Sequence, residues 1–110
     1  MTKTRFGELE EQVLLVLLQL GDESYAVPVA EELTGMKGRD VSPATVYMVM
    51  RRLYGQGYLT SRVGTSDPER GGRPRRYYRV DRDAVLPTLR ESRRAMLTLW
   101  QGLEPLLDES

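Results

Sequence analysis

The side chains able to do chemistry in this chain are few, and the reactive kinds are missing. There is no cysteine and no histidine. Their absence removes thiol nucleophiles, Ser-His and Cys-His mechanisms, and zinc sites built on those ligands. Neighbouring carboxylates occur at Glu10–Glu11 and Glu31–Glu32, but adjacent helical residues diverge by about 100° and cannot converge on one substrate atom. They read as solvated faces. No glycine-rich motif could cradle a phosphate. The residues therefore predict a non-enzymatic protein with no cofactor and no metal.

What remains is arginine and tyrosine, concentrated around Ser42–Leu53, SPATVYMVMRRL. Ser42 is a helix N-cap and Pro43 fits the first helical position. Val46, Val49, Met50 and Leu53 recur at helical spacing and mark a buried face. Thr45, Tyr47, Met48, Arg51 and Arg52 fall on the other face. Core packing does not explain an exposed tyrosine and paired arginines there, whereas a DNA recognition helix does.

The charge distribution agrees. Net charge is zero, with 16 basic and 16 acidic residues, yet the signs are segregated. Residues 1–40 balance to −4 and residues 81–110 to −2, while residues 41–80 hold eight arginines against Asp67 and Glu69, a balance of +6. Arginine suits phosphate and guanine, and a segregated basic patch is an electrostatic footprint of nucleic-acid binding. The longest apolar run, Val13–Leu18, is too short to cross a bilayer, and the first residues lack a signal-peptide pattern. A cytoplasmic protein without membrane contact is expected.

The elements that must position this helix follow from periodicity. Residues 1–6 look like a flexible arm. A first helix is expected over Gly7–Leu20, with Leu9, Val13, Val16, Leu17 and Leu20 in one stripe that Leu14, Leu15 and Leu18 widen. The width means a helix buried on most sides or one facing a second subunit. Asp22–Ser24 reads as a turn, and Tyr25 to about Met36 as a second helix. Arg39–Val41 reads as a short strand leading into the third helix, residues 43–54. Tyr58–Gly64 and Arg75–Val80 read as a strand pair joined by the Gly/Pro-rich Thr65–Pro74. From Asp83 to about Leu107, Leu86, Leu89, Arg93, Met96, Trp100, Leu103 and Leu107 form a heptad seam with one polar position. Pro87 costs little if it lies in the first turn of that helix, and Gly102 and Pro105 loosen its end.

Three helices and then a hairpin is the order of a winged helix-turn-helix. The fold class is thus mainly α with a small β-hairpin (α+β). Residues 1–80 form the DNA-binding domain and residues 81–110 a C-terminal dimerisation helix. Helix 43–54 is expected in the major groove, and the wing, residues 64–75, on the backbone or in the minor groove. A helix of about 25 residues would be roughly 37 Å long, more than this core can cover, so its apolar seam needs a partner. A two-fold dimer would meet a palindromic operator in double-stranded DNA.

The chain resembles PadR-type transcriptional regulators over nearly all its length. The resemblance is carried by GELEEQVLLVLLQLGDESYAVPVAEEL (Gly7–Leu33), VSPATVYMVMRRLYGQGYLTS (Val41–Ser61) and GGRPRRYYRV (Gly71–Val80). It implies a homodimeric repressor whose C-terminal helix supplies much of the dimer contact, here in the short form with one such helix. Two departures stand out. Many members have Pro after the recognition-helix Tyr, where this chain has Met48. Many have Thr and then Gly after the second wing strand, where this chain has Asp81 and Ala84.

The candidate DNA-binding residues are Ser42, Pro43, Thr45, Tyr47, Met48, Arg51, Arg52, Arg73 and Arg75. Each has a plainer explanation. Ser42 is a cap in either case, Tyr47 could be a core aromatic supporting the hairpin, and Arg51 and Arg52 could complement a solvated helix end. Arg70, Arg73, Arg75 and Arg76 could belong to an unengaged polar loop. Met96, Trp100 and Leu103 are candidates for the dimer interface or for an inter-subunit pocket taking a small planar aromatic effector. Two other functions compete. A winged-helix module binding protein without DNA lacks a reason for the arginine-rich middle third, and a small enzyme lacks the reactive residues.

Overall fold

A computed structural model of the chain describes residues 5–64 and 74–108. Helix α1 (Glu8–Gln19) leads to strand β1 (Glu23–Ser24), helices α2 (Ala26–Lys37) and α3 (Pro43–Gly55), strands β2 (Leu59–Val63) and β3 (Arg76–Val80), helix α4 (Arg82–Trp100) and the short α5 (Glu104–Leu107). The strands form one antiparallel sheet in the order β1-β3-β2. Ser61 lies opposite Tyr78, and Ser24 opposite the other edge of the same residue.

One apolar cluster joins every long element: Val13, Leu14, Val16 and Leu17 of α1, Val29, Ala30 and Leu33 of α2, and Val46, Val49, Met50 and Leu53 of α3. Leu59, Tyr78 and Val80 from the sheet, and Val85 and Leu89 from α4, complete it. Burying such side chains contributes roughly 1.5–3 kcal/mol each, so this cluster fixes which face of α3 turns inward. The exposed pair between Arg52 Nη1 and Glu10 Oε2, 3.4 Å apart, is worth at most about 1 kcal/mol and follows from that orientation.

The turn between α2 and α3 is set locally. Gly38 takes the left-handed conformation (φ 68°) and ends α2. Thr34 Oγ1 then accepts from the Val41 N–H (3.0 Å) and donates to the Val41 carbonyl (3.3 Å). Arg39–Val41 is therefore not the strand the sequence suggested, because one threonine side chain occupies both backbone groups of Val41.

Four further expectations are corrected. Glu23–Ser24, placed in a turn, pairs with β3; two residues cannot show an alternation, and their partner lies over fifty positions away. Phe6, assigned to the arm, packs edge-on against Tyr58 with ring centroids 4.9 Å apart. The C-terminal helix is not continuous to Leu107: α4 stops at Trp100, Gly102 turns the chain at φ 84°, and α5 follows. At 19 residues α4 spans about 28 Å, and Leu103 and Leu107 leave its seam. Pro87 lies inside α4 beyond its first turn, where it removes the N–H that would have met the Asp83 carbonyl. Among the described residues, no helix is long and apolar enough to cross a membrane.

Candidate nucleic-acid interface

Helix α3 begins on a built cap. Ser42 Oγ accepts from the Thr45 N–H (3.1 Å) and lies 2.9 Å from Thr45 Oγ1, and Pro43 occupies the first helical turn. The cap satisfies one free amide and leaves the positive end of the helix dipole at the surface. Pro43, Thr45, Tyr47, Met48, Arg51 and Arg52 are all exposed, and Ser42 is half-buried. Every α3 residue named from the sequence thus lies outside the core, but the six do not share one direction.

Tyr47 leans to the sheet. Although 37% exposed, its ring meets Tyr78 at a centroid distance of 6.3 Å. Tyr54 flanks Tyr78 on the other side at 6.1 Å. Burial, and then the neighbouring Tyr47, push the Tyr78 hydroxyl above its usual pKa, while Arg76 and Arg51 pull it partly back. Tyr47 thus lies against the β3 side of the sheet with one edge still in solvent. Arg52 leans the other way, to Glu10 of α1, whose second oxygen accepts from the Gly7 N–H at 2.7 Å.

Between these flanks runs a stripe opposite the buried face, made of Ala44, Met48, Arg51 and Gly55 at steps of four, three and four. Met48 is 56% exposed, and neither it nor Arg51 has a hydrogen-bonded or ionic partner among the described residues. Ala44 was missed in the sequence because a small apolar residue next to a proline carries no chemical signal. Its spacing to Met48 was the clue.

The wing separates its arginines by strand alternation. Arg76 shares a face with Tyr78 and Val80, turned toward α3, and donates to Ser61 Oγ at 2.7 Å. Arg75 lies on the opposite face, its guanidinium 4.3 Å from the Tyr25 ring centroid. On that outer face Tyr25 meets Tyr77 edge-on at 5.6 Å, and Arg62 stacks on Tyr77 at 4.5 Å while donating twice to Glu23, both at 2.9 Å. Gly64 closes the strand because a Cβ there would sit 2.7 Å from the Tyr77 ring. Arg70 and Arg73 lie outside the described residues. Arg76, named beside them but not chosen, is the described wing arginine nearest the α3 face.

At the far end, the first turns of α4 anchor it to the core and the sheet. Asp81 Oδ1 accepts from the Ala84 N–H (3.3 Å), and Arg82 donates to both oxygens of Asp22 (2.8 and 2.9 Å). Val85 and Leu89 are buried, whereas every residue from Arg93 to Trp100 is exposed. Met96 lines an open groove with Phe6, Thr88, Ser92, Ala95 and Leu99. Trp100 and Leu103, 40% and 42% exposed, stand at the surface beside the break in the helix. Among the described residues no cluster could hold a metal ion.

Comparison with known proteins places this geometry. Residues 13–83 match the PadR-like family of transcriptional regulators. A crystal structure of a PadR family transcriptional regulator from Eggerthella lenta is 34% identical, covering 94% of this chain and 88% of that one, with a TM-score of 0.64. A PadR-like transcriptional regulator from Bacillus cereus shares the fold at a TM-score of 0.67 and 22% identity, with 93% of each chain covered. A transcriptional regulator from Thermoplasma acidophilum does so at 0.67 and 14% identity, covering 93% of this chain and 96% of that one. A comparison with curated protein sequences gives no significant match. The winged helix-turn-helix with its capped third helix, the match over most of the chain and the 34% identical relative together place this protein in the PadR-like family, whose members are transcriptional regulators and not enzymes.

Proposed function

We propose that the protein is a cytoplasmic homodimeric repressor that occupies a palindromic operator, with α3 in the major groove and the wing beside it on backbone or minor groove. Residues 1–80 contact DNA and residues 81–110 join the subunits, with the first two turns of α4 serving both parts. The observation that carries this is the division of α3. Four side chains are buried in the core, and Met48 and Arg51 on the opposite stripe, next to a capped N-terminus, have no hydrogen-bonded or ionic partner among the described residues. Arg51, with Arg76 from the wing, adds positive charge on that side. Ser42, Pro43 and Thr45 place the helix N-terminus at the phosphates, and Tyr47 and Arg52 flank the groove. Arg73 extends the wing contact, and Arg75 reaches it only from the outer face, where its guanidinium rests on the Tyr25 ring.

The apolar residues of α4 beyond Leu89 supply the dimer contact in this proposal, and exposed Leu15 on α1 adds to it. A planar aromatic effector near Met96, Trp100 and Leu103 would release DNA by favouring a dimer with the wrong spacing. The test is a titration of random duplex at low and moderate salt. Weak binding that falls steeply with salt is expected, and replacing Arg76 by Ala should lower the salt slope by about one. A planar aromatic compound added to the operator complex should reduce binding. No binding even at low salt would overturn the proposal and favour a protein-binding module.

A further inference from the structure

We propose that the α3 stripe reads a thymine and a nearby guanine: Met48, seconded by Ala44, contacts the thymine C5 methyl, and Arg51 contacts the guanine edge. This rests on the reading of α3 as the helix that enters the major groove, and deepens it by naming the bases.

The geometry selects these three residues from a larger exposed set. Tyr47 is engaged by the Tyr78 ring, Arg52 by Glu10, and Thr45 by the cap. Ala44, Met48 and Arg51 point directly away from Val46, Val49, Met50 and Leu53, the buried face, so they are the side chains that would meet the groove floor. Their chemistry then names the base. A methionine has no hydrogen-bond donor and cannot hold a phosphate. The apolar feature of the major-groove floor is the thymine methyl group, and a flexible thioether adapts its shape to it. Arginine pairs with guanine O6 and N7 through two parallel donors, the commonest specific contact of that groove. Met48 and Arg51 are three residues apart, an axial rise of about 4.5 Å. That is close to the roughly 3.4 Å between stacked base pairs, so the two bases lie on the same or successive steps.

The experiment uses the full chain and an operator recovered from a random DNA pool. Each thymine is replaced in turn by uracil, which deletes the methyl group and keeps the pairing, and each guanine by 7-deazaguanine, which removes N7. One thymine per half-site should weaken wild-type binding about fourfold when its methyl is lost, the loss expected for one buried carbon. Met48→Ala should bind more weakly and be indifferent to that same change. One guanine should show a loss of about tenfold that Arg51→Ala no longer shows. If no thymine is methyl-sensitive, or if Met48→Ala keeps the wild-type pattern of sensitivities, the thymine assignment is wrong while DNA binding stands. If guanine sensitivity survives in Arg51→Ala, the guanine assignment is wrong. If no operator is recovered and random duplex is not bound, the underlying reading of α3 fails as well.

Discussion

A single threonine sets how α3 is presented. Thr34 Oγ1 takes the Val41 N–H and donates to the Val41 carbonyl, one residue before the Ser42 cap, and Val41 itself is buried. Thr34→Val keeps shape and volume but leaves two backbone groups short of a partner. Leaving a partly buried donor unmet costs about 1–2 kcal/mol, so the variant should lose that much in a denaturant titration. Its affinity for random duplex should fall as well, since the turn that aims α3 is loosened. Unchanged stability would mean that water replaces the threonine without cost. The sequence offered Thr34 only as part of a helix end, because a bond across seven positions depends on how the turn closes. Ser42, by contrast, was legible at once: its cap, formed with Thr45, is local chemistry.

At the scale of elements, the sheet is held partly by charge. Glu23 receives two hydrogen bonds from Arg62 on β2 and lies 3.7 Å from Arg79 on β3, so one carboxylate on β1 ties all three strands. The Arg62 bonds hold its carboxyl below the ordinary 4.5, and the Arg82 bonds hold Asp22 below 3.8. A carboxyl depressed in the folded state stabilises it above the unfolded pKa and loses that effect as pH falls through the folded pKa. Wild type should therefore exceed Glu23→Gln in melting temperature at neutral pH. The gap should close as pH drops below about 4 and down through the depressed value. A gap constant from pH 7 to pH 2 would show that the ion pairs contribute nothing. None of this third strand was visible in the sequence. Strand alternation along Arg75-Arg76-Tyr77-Tyr78 puts the two tyrosines on opposite faces, with Tyr78 1% exposed.

At the scale of the whole molecule, an apolar surface is left over. Met96, Leu97, Leu99, Trp100, Leu103, Leu106 and Leu107 are all exposed, a larger set of neighbouring apolar side chains than a lone soluble domain ordinarily leaves uncovered. The proposed dimer would cover it. Trp100→Asp with Leu103→Asp should yield a monomer in sedimentation, with far weaker binding to a palindrome and little change on a single half-site. A dimer that persists would place the interface elsewhere, on the α1 side at Leu15 or in the groove lined by Phe6 and Met96. The break at Gly102 matters here. It takes Leu103 and Leu107 off the α4 seam and bends the C-terminal apolar surface where the heptad spacing predicted a straight one.

The amino-acid pattern was sufficient for the three core helices followed by a hairpin and a last helix, for the face of α3 that is buried, and for its cap. All of these depend on residue type and on spacing within a turn or two of chain. The family membership could be read there too, from Thr45-Val46-Tyr47 and the tyrosine-rich wing. Three matters needed the chain to be folded: the pairing of Glu23–Ser24 with β3, the end of α4 at Trp100, and the division of labour among the exposed residues of α3. The last is decided by neighbours distant in sequence. Glu10 takes Arg52 and Tyr78 takes Tyr47, and Met48 and Arg51 are left without a hydrogen-bonded or ionic partner among the described residues.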